Sequence, residues 1–197
     1  MAIENYAQAG VQRLARDEVA DGEKLHALFT KISAQSTRAG SVLKRLRSIV
    51  KKHESEATRF DLGALVVDTM NLVEMESRLH DVQIQTAVSP GLPCVFADEI
   101  QIQQVLVNLA RNGVDAMDGV SLPDKVLRIE VIATRDNELT VRVKDNGRGI
   151  SERDAKHLFE PFYTTKQHGL GIGLVICRSI IEAHGGRIEV ENAAGGG

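Results

Sequence analysis

The sequence predicts an α+β fold: a two-layer sandwich, a mixed sheet with helices on one face, preceded by a helical hairpin that forms a dimeric four-helix bundle. Three observations predict it. Residues 25–49 carry a heptad seam. From Thr58 onward, segments that alternate apolar and polar residues are interleaved with segments of helical period. Those strands and helices follow one another without a strict βαβ repeat, which favours a layered sandwich over a doubly wound fold.

The seam runs Leu25, Leu28, Ile32, Gln35, Ala39, Val42, Leu46, Ile49, with spacings of three and four. Such a seam asks for a partner helix. Upstream, Ile3, Ala7, Gly10 and Leu14 keep the same spacing, and Asp21-Gly22 suits the turn between two arms. Two arms bury little surface alone, so a homodimer through residues 1–56 completes the bundle; the alternative is a hairpin packed on the rest of its own chain. The run Lys44, Arg45, Arg47, Lys51, Lys52 fits either a docking surface for an acidic partner or, with more weight, a solvated helix face.

Residues 57–197 form the second domain. Phe60 to Leu79 reads as a helix with an extended lead-in. Val82 to Val88 alternates as a strand, Ser89-Pro90-Gly91 turns, and Cys94 to Ala97 is a short strand. Asp98 caps a long helix ending near Met117. Strands near Val126–Thr134 and Leu139–Lys144 flank an Arg135-Asp136-Asn137 turn. Glu152 to Phe159 is a short helix after Ser151, Gly171 to His184 a longer one stopped by Gly185-Gly186, and Arg187 to Glu191 a final strand.

Composition narrows the function classes. With 43% hydrophobic and 26% charged residues, the chain has the make-up of a soluble globular protein. A net charge of −3 excludes broad attraction to nucleic acid, and two Tyr, five Phe and no Trp leave little for stacking bases. No apolar run reaches the length of a membrane span, and nothing near Met1 resembles a signal peptide, so a cytoplasmic segment without membrane contact is expected. Cys94 and Cys177 share no metal or redox spacing and read as two reduced thiols.

Four segments carry chemistry. On the long helix, Ile102, Leu106, Leu109, Gly113 and Met117 form a core stripe. Gln101, Gln104, Asn108, Asn112 and Asp115 lie roughly opposite. Solvated helix faces usually carry Lys and Glu; short amides and a carboxylate are hard oxygen ligands suited to Mg²⁺. Alone, that stripe is weak evidence against a plain polar surface. Asp145-Asn146-Gly147-Arg148-Gly149-Ile150 follows a strand: its carboxylate can accept from an exocyclic amine, and its glycines let backbone approach a flat ligand, although a simple Asn-Gly turn is common. Gly169-Leu170-Gly171-Ile172-Gly173 opens a helix, where free amides and the helix dipole favour phosphate. It has neither the G-x-G-x-x-G nor the P-loop spacing. Between them, Leu158 to Lys166 combines apolar residues and Pro161 with a polar Thr164-Thr165-Lys166 end, as a hinged lid would.

In this order and spacing the four segments resemble the N, G1, F and G2 boxes of the ATP-binding domain shared by sensor histidine kinases, DNA gyrase, Hsp90 and MutL. Residues 1–56 resemble, more loosely, the dimerisation and phosphotransfer helices of the kinases. NYAQAG and KISAQSTRAGSVLKRLRSIV resemble the oxygen- and nitrogen-sensing branch. The resemblance implies ATP and Mg²⁺ as cofactors, with Asn112 on the metal and Asn108 near the phosphates. It implies Asp145 on the adenine amino group and Gly147 and Gly149 around the base. Thr165, Lys166, Gly169, Leu170, Gly171 and Gly173 would lie around the phosphates, and Asp115 occupies an acidic position common in the branch. Arg111 and Arg148 are left as surface residues. In ATP-hydrolysing relatives the Asn108 position is a glutamate that activates water, so a kinase fits better than an ATPase. The implied activity is transfer of the γ-phosphate to a histidine and thence to a response regulator receiver domain.

Three departures stand out. The family's acceptor is a His followed by an acidic residue and soon a Pro, and none of His26, His53, His80, His157, His168 or His184 fits. The acceptor is therefore expected upstream of Met1, and the chain as it stands is expected to bind ATP without phosphorylating itself. A last strand is expected beyond Gly197. Gly113 replaces the usual Ala at a helix-interior cost of up to about 1 kcal/mol, with no functional meaning assigned. The competing readings are a non-catalytic nucleotide-binding or dimerisation module and, further off, an ATPase of the gyrase and Hsp90 kind.

Overall fold

A computed structural model describes residues 7, 11, 26–34, 36, 56–121, 123–134, 138–166 and 169–192. The chain divides into two units, Met1–Lys52 and His53–Gly197. In the first, residues 26–34 and 36 are helical. Within 26–34 the two seam positions, Leu28 and Ile32, are half-buried while their neighbours are exposed. The rest of the hairpin, its Asp21-Gly22 turn and the basic run fall outside the described residues.

The second unit begins with β1 (Thr58–Phe60), followed by α1 (Leu62–Arg78), β2 (Val82–Val88) and β3 (Val95–Ala97). Then come α2 (Glu99–Met117), β4 (Lys125–Ala133), β5 (Leu139–Asp145), α3 (Glu152–His157) and α4 (Gly173–Ala183). The main sheet is mixed, in the order β2-β4-β5: β2 runs parallel to β4, and β5 antiparallel. The lead-in of the first helix is itself a strand. β1 pairs antiparallel with β3, and α1 starts only after Asp61, whose carboxylate accepts from the Ala64 amide at 3.1 Å.

Register explains the layers. Side chains alternate across a strand, so Val82, Ile84, Leu127, Ile129, Val131, Val141 and Val143 share one face. Leu127, Ile129 and Val131 are fully buried there against Leu65, Val66, Met70 and Val73 of α1 and Leu106, Ala110, Val114 and Met117 of α2. The opposite face presents Gln83, Gln85, Arg128, Glu130, Arg142 and Lys144.

The core stripe of α2 is broader than its periodicity suggests. Val105, Ala110 and Val114 are buried beside Leu106, Gly113 and Met117, while Ile102 and Leu109 are half-buried. The helix is covered on two sides, by α1 with the sheet and by α4, so more than one stripe is enclosed. Gly113 has a role that its helix propensity hides. A Cβ there would meet Leu127 Cδ1 at 2.5 Å, so the missing methyl makes room for the central strand.

Two expectations are corrected. Residues 186–192 form no strand. Among the described residues no backbone ladder ties that segment to β5; side chains do so instead, Arg187 to Glu138 at 3.0 Å and Asn192 to the Ile150 backbone. The last helix starts at Gly173, not Gly171, because Gly171 holds φ +62° and cannot be helical. The Arg135-Asp136-Asn137 turn lies outside the described residues.

Candidate functional site

The site grows from the exposed side of α2. Asp98 caps this helix by accepting from the Gln101 amide at 3.1 Å and from Gln101 Nε2 at 2.8 Å. Its own N–H donates to His184 Nε2 at 3.1 Å, which locks the start of α2 to the end of α4. Gln101 is thus spent on the cap, and Gln104 is exposed. The lower amides turn to other elements. Asn108 Nδ2 donates to Cys177 Sγ of α4 at 3.1 Å. Asn112 Oδ1 and Asp115 Oδ2 both accept from the Lys166 ammonium, at 2.8 and 2.7 Å.

That last contact decides what the amide stripe can hold. A cation already stands on Asn112 Oδ1, the oxygen that the sequence reading marks for a metal, and on Asp115 Oδ2 of the same stripe, so the donor set suits a positive ion. The Lys166–Asp115 pair is part-exposed, 31% and 52%, and such pairs contribute under about 1 kcal/mol. Lys166 can therefore leave at little cost.

The second wall is the loop after β5. Asp145 sits at the strand end opposite Leu127, on the face turned to α2. Its Oδ1 accepts from the Gly147 amide at 2.9 Å, an Asx turn that leaves Oδ2 free to accept again. A Cβ on Gly147 would lie 2.6 Å from the Ala116 carbonyl oxygen of α2, a backbone contact only glycine tolerates, and Gly149 needs φ +66°. Asn146 pins the loop from outside: it accepts from the Val126 amide at 2.9 Å and donates to the Asp124 carbonyl at 2.8 Å. Asn192 both accepts from Ile150 N at 3.0 Å and donates to Ile150 O at 2.6 Å.

The third wall is the segment before α4. The Phe162 amide donates to the Gly171 carbonyl at 2.9 Å, and a Cβ on Gly171 would run into the Phe162 and Tyr163 backbone. The two ends of the intervening loop are thus pinned together. Within it, Lys166 N donates to Thr164 Oγ1 at 3.1 Å, a Cβ on Gly169 would strike that hydroxyl, Thr165 is exposed and Leu170 half-buried. The helix N-cap, Ile172, offers no side-chain oxygen, and among the described residues no side chain caps the first amides of α4. Gly173 packs on Asn108: a Cβ would lie 2.9 Å from both amide atoms. Arg111 pairs with Glu76 at 2.9 Å on the surface and Arg148 is exposed.

The loop is anchored to α3 by the Tyr163 hydroxyl, which donates to Asp154 Oδ1, while Ser151 donates to Asp154 Oδ2 at 2.7 Å. Those bonds, Tyr163 first, hold the Asp154 carboxyl below its usual 3.8, and the same contact raises the Tyr163 phenol. A depressed carboxyl contributes stability above its unfolded pKa that is lost as pH falls through the folded value. Tyr163→Phe should return the Asp154 carboxyl toward 3.8 in an NMR titration; an unmoved titration would mean that the hydroxyl does not set it.

Sequence reasoning missed Asn146, Cys177, His184 and Asn192. Asn146 carried a signal, as an Asn inside a turn motif. The other three act across long sequence separations and left none.

The arrangement sets a carboxylate at the loop after β5, an amide and a carboxylate of α2 that together hold a cation, and the first amides of α4, which Ile172 does not cap. The chain belongs to the family of histidine kinase-, DNA gyrase B-, and HSP90-like ATPases, whose model matches residues 97–197, the stretch that holds every candidate residue above. It is 38% identical over 200 residues to the sensor protein FixL of Bradyrhizobium diazoefficiens, covering 100% of this chain and 38% of that protein. It is likewise 38% identical over 196 residues to the C4-dicarboxylate transport sensor protein DctS of Rhodobacter capsulatus, covering 100% and 30%. This chain therefore spans well under half the length of these relatives. Among solved structures, the catalytic domain of the histidine kinase ThkA superposes with TM-score 0.63 at 34% identity, over 72% of this chain and 90% of that one. ThkA in complex with the response regulator protein TrrA gives 0.65 at 25%, over 98% and 56%. Among the described residues no helix is long and apolar enough to cross a membrane.

Proposed function

We propose that this chain is the catalytic part of a sensor histidine kinase that binds Mg-ATP. The γ-phosphate would pass to a histidine, which this chain does not carry in the acceptor motif, and then to an aspartate of a response regulator receiver domain. The single observation that carries the reading is the Lys166 ammonium resting on Asn112 Oδ1 and Asp115 Oδ2. It marks a cation place between the free oxygen of Asp145 and the uncapped start of α4.

Mg-ATP supplies the transferable phosphoryl group and the divalent charge that neutralises it. The residues divide the rest of the work. Asp145 accepts from the adenine amino group, while Gly147 and Gly149 let the backbone approach the base. Asn112 ligates the metal, and Asn108 and Asp115 present oxygens on the same face. Thr165, Lys166, Gly169, Leu170, Gly171 and Gly173 surround the phosphates, with Lys166 released from Asn112 to meet them. Positioning and charge neutralisation are the protein's main contribution to phosphoryl transfer. Residues 1–56 serve as the dimerisation hairpin and 57–197 as the catalytic domain, in the cytoplasm and without nucleic acid. Asn108, an amide that cannot serve as a general base, favours a kinase over an ATPase.

Titration calorimetry with a non-hydrolysable ATP analogue, with and without Mg²⁺, tests the reading. Mg²⁺ should tighten binding about tenfold, or 1.4 kcal/mol, and Asn112→Ala should lose that gain. Failure of Mg²⁺ to tighten binding would overturn the metal assignment. Sustained phosphate release abolished by Asn108→Ala would favour the ATPase instead.

A further inference from the structure

Cys177 is 1% exposed in the middle of α4, one helical turn beyond Gly173. Its sulfur has two polar neighbours, the Val105 carbonyl at 4.0 Å and Asn108 Nδ2 at 3.1 Å. A thiol has a single hydrogen. Pointed at the Val105 carbonyl, that hydrogen leaves only sulfur lone pairs for Asn108, and only the NH₂ end of the amide can donate to them. The polarity of a helix carbonyl is thereby relayed through the thiol to the Asn108 side chain. Gly173 lies close against the amide, where a Cβ would come within 2.9 Å of both Nδ2 and Oδ1. The thiol thus favours the flip state in which the Asn108 NH₂ faces α4, and Gly173, lacking a Cβ, leaves the room the side chain occupies.

We propose that Cys177 is a positioning residue, holding Asn108 so that its carbonyl oxygen, not its NH₂, is presented to the metal and phosphate side of the cleft. The inference rests on the reading of the site given above. The chemical consequence is direct. An amide oxygen attracts a cation or its bound water, whereas an NH₂ group turned the same way repels it. Burial keeps the thiol protonated and so able to donate: desolvation pushes its pKa above the ordinary value.

The test compares Cys177→Ser, Cys177→Ala, Asn108→Ala and the double variant, reading affinity for a non-hydrolysable ATP analogue with and without Mg²⁺. Serine keeps one donor and an acceptor, so Cys177→Ser should retain the Mg²⁺-dependent gain. Cys177→Ala should lose as much of that gain as Asn108→Ala does, within about twofold, and the double variant should be no worse, as expected of a coupled pair. The Asn108 side-chain NH₂ resonances should shift in Cys177→Ala and stay near wild type in Cys177→Ser. If Cys177→Ala melts before binding can be read, Cys177→Val, which fills the space and accepts nothing, replaces it. A full Mg²⁺-dependent gain in the Ala or Val variant, or a double variant that falls by the product of the single losses, overturns the proposal. Absence of the gain in the wild-type chain overturns the site reading itself, which is a different result.

Discussion

Asp145→Asn should weaken binding of an ATP analogue about 100-fold, equivalent to about 2.7 kcal/mol, while leaving the melting temperature close to wild type. Asp145 divides its carboxylate between two jobs. Oδ1 accepts from the Gly147 amide at 2.9 Å and shapes the loop. In the proposed reading, Oδ2 accepts from the adenine amino group. Asparagine can keep the first bond, because its carbonyl oxygen replaces Oδ1. Its NH₂ then takes the place of Oδ2 and faces the amino group donor to donor. The variant loses a bond to a charged acceptor, about 1.5–3 kcal/mol, and adds an unmet donor. Asp145→Ala is a poorer probe because it also removes the turn. Calorimetry reads the loss, and an affinity within threefold of wild type would sink the adenine assignment.

Gly171→Ala should damage both stability and binding. At φ +62° an alanine carries backbone strain of about 1–3 kcal/mol. The added methyl also collides with the Phe162 and Tyr163 backbone, which cannot move aside like a flexible side-chain tip. The Phe162 N–H to Gly171 carbonyl bond should break, and the segment bearing Lys166 should lose its fixed base. Analogue affinity should fall at least tenfold, about 1.4 kcal/mol, and chemical denaturation should show a loss of about 2 kcal/mol. Unchanged values of both would mean that the pinned loop base is irrelevant to the cleft.

What was legible in the sequence follows from how far each cause reaches along the chain. Asp98 as a cap, the alternation of Val82–Val88 and the turn at Gly91 are local, and the structure has them where the sequence places them. The stripe of Asn108, Asn112 and Asp115 is also local, since helical spacing alone puts these residues on one side. Their partners are not local. Nothing near Asn112 announces Lys166, 54 positions on, and nothing near Asn108 announces Cys177, 69 positions on. Gly113 misled for the same reason: its cost is written in the helix, its benefit in Leu127 on another element. Residues 187–191 misled in the opposite direction, because their alternation suggests a strand while the backbone pairing that makes one is a tertiary matter.

The position of β4 at the centre of the main sheet also sets the order in which that sheet can be made. β4 meets β5 across residues 134–138, but it meets β2 only across residues 89–124. Closing the longer connection costs about 2 kcal/mol more in chain entropy. During synthesis β2 emerges first, yet it has no strand of its own sheet to pair with until β4 follows. The parallel seam that seats Leu127, Ile129 and Val131 over α1 and α2 therefore closes late, and through that interval the backbone edge of β2 waits without its partner strand.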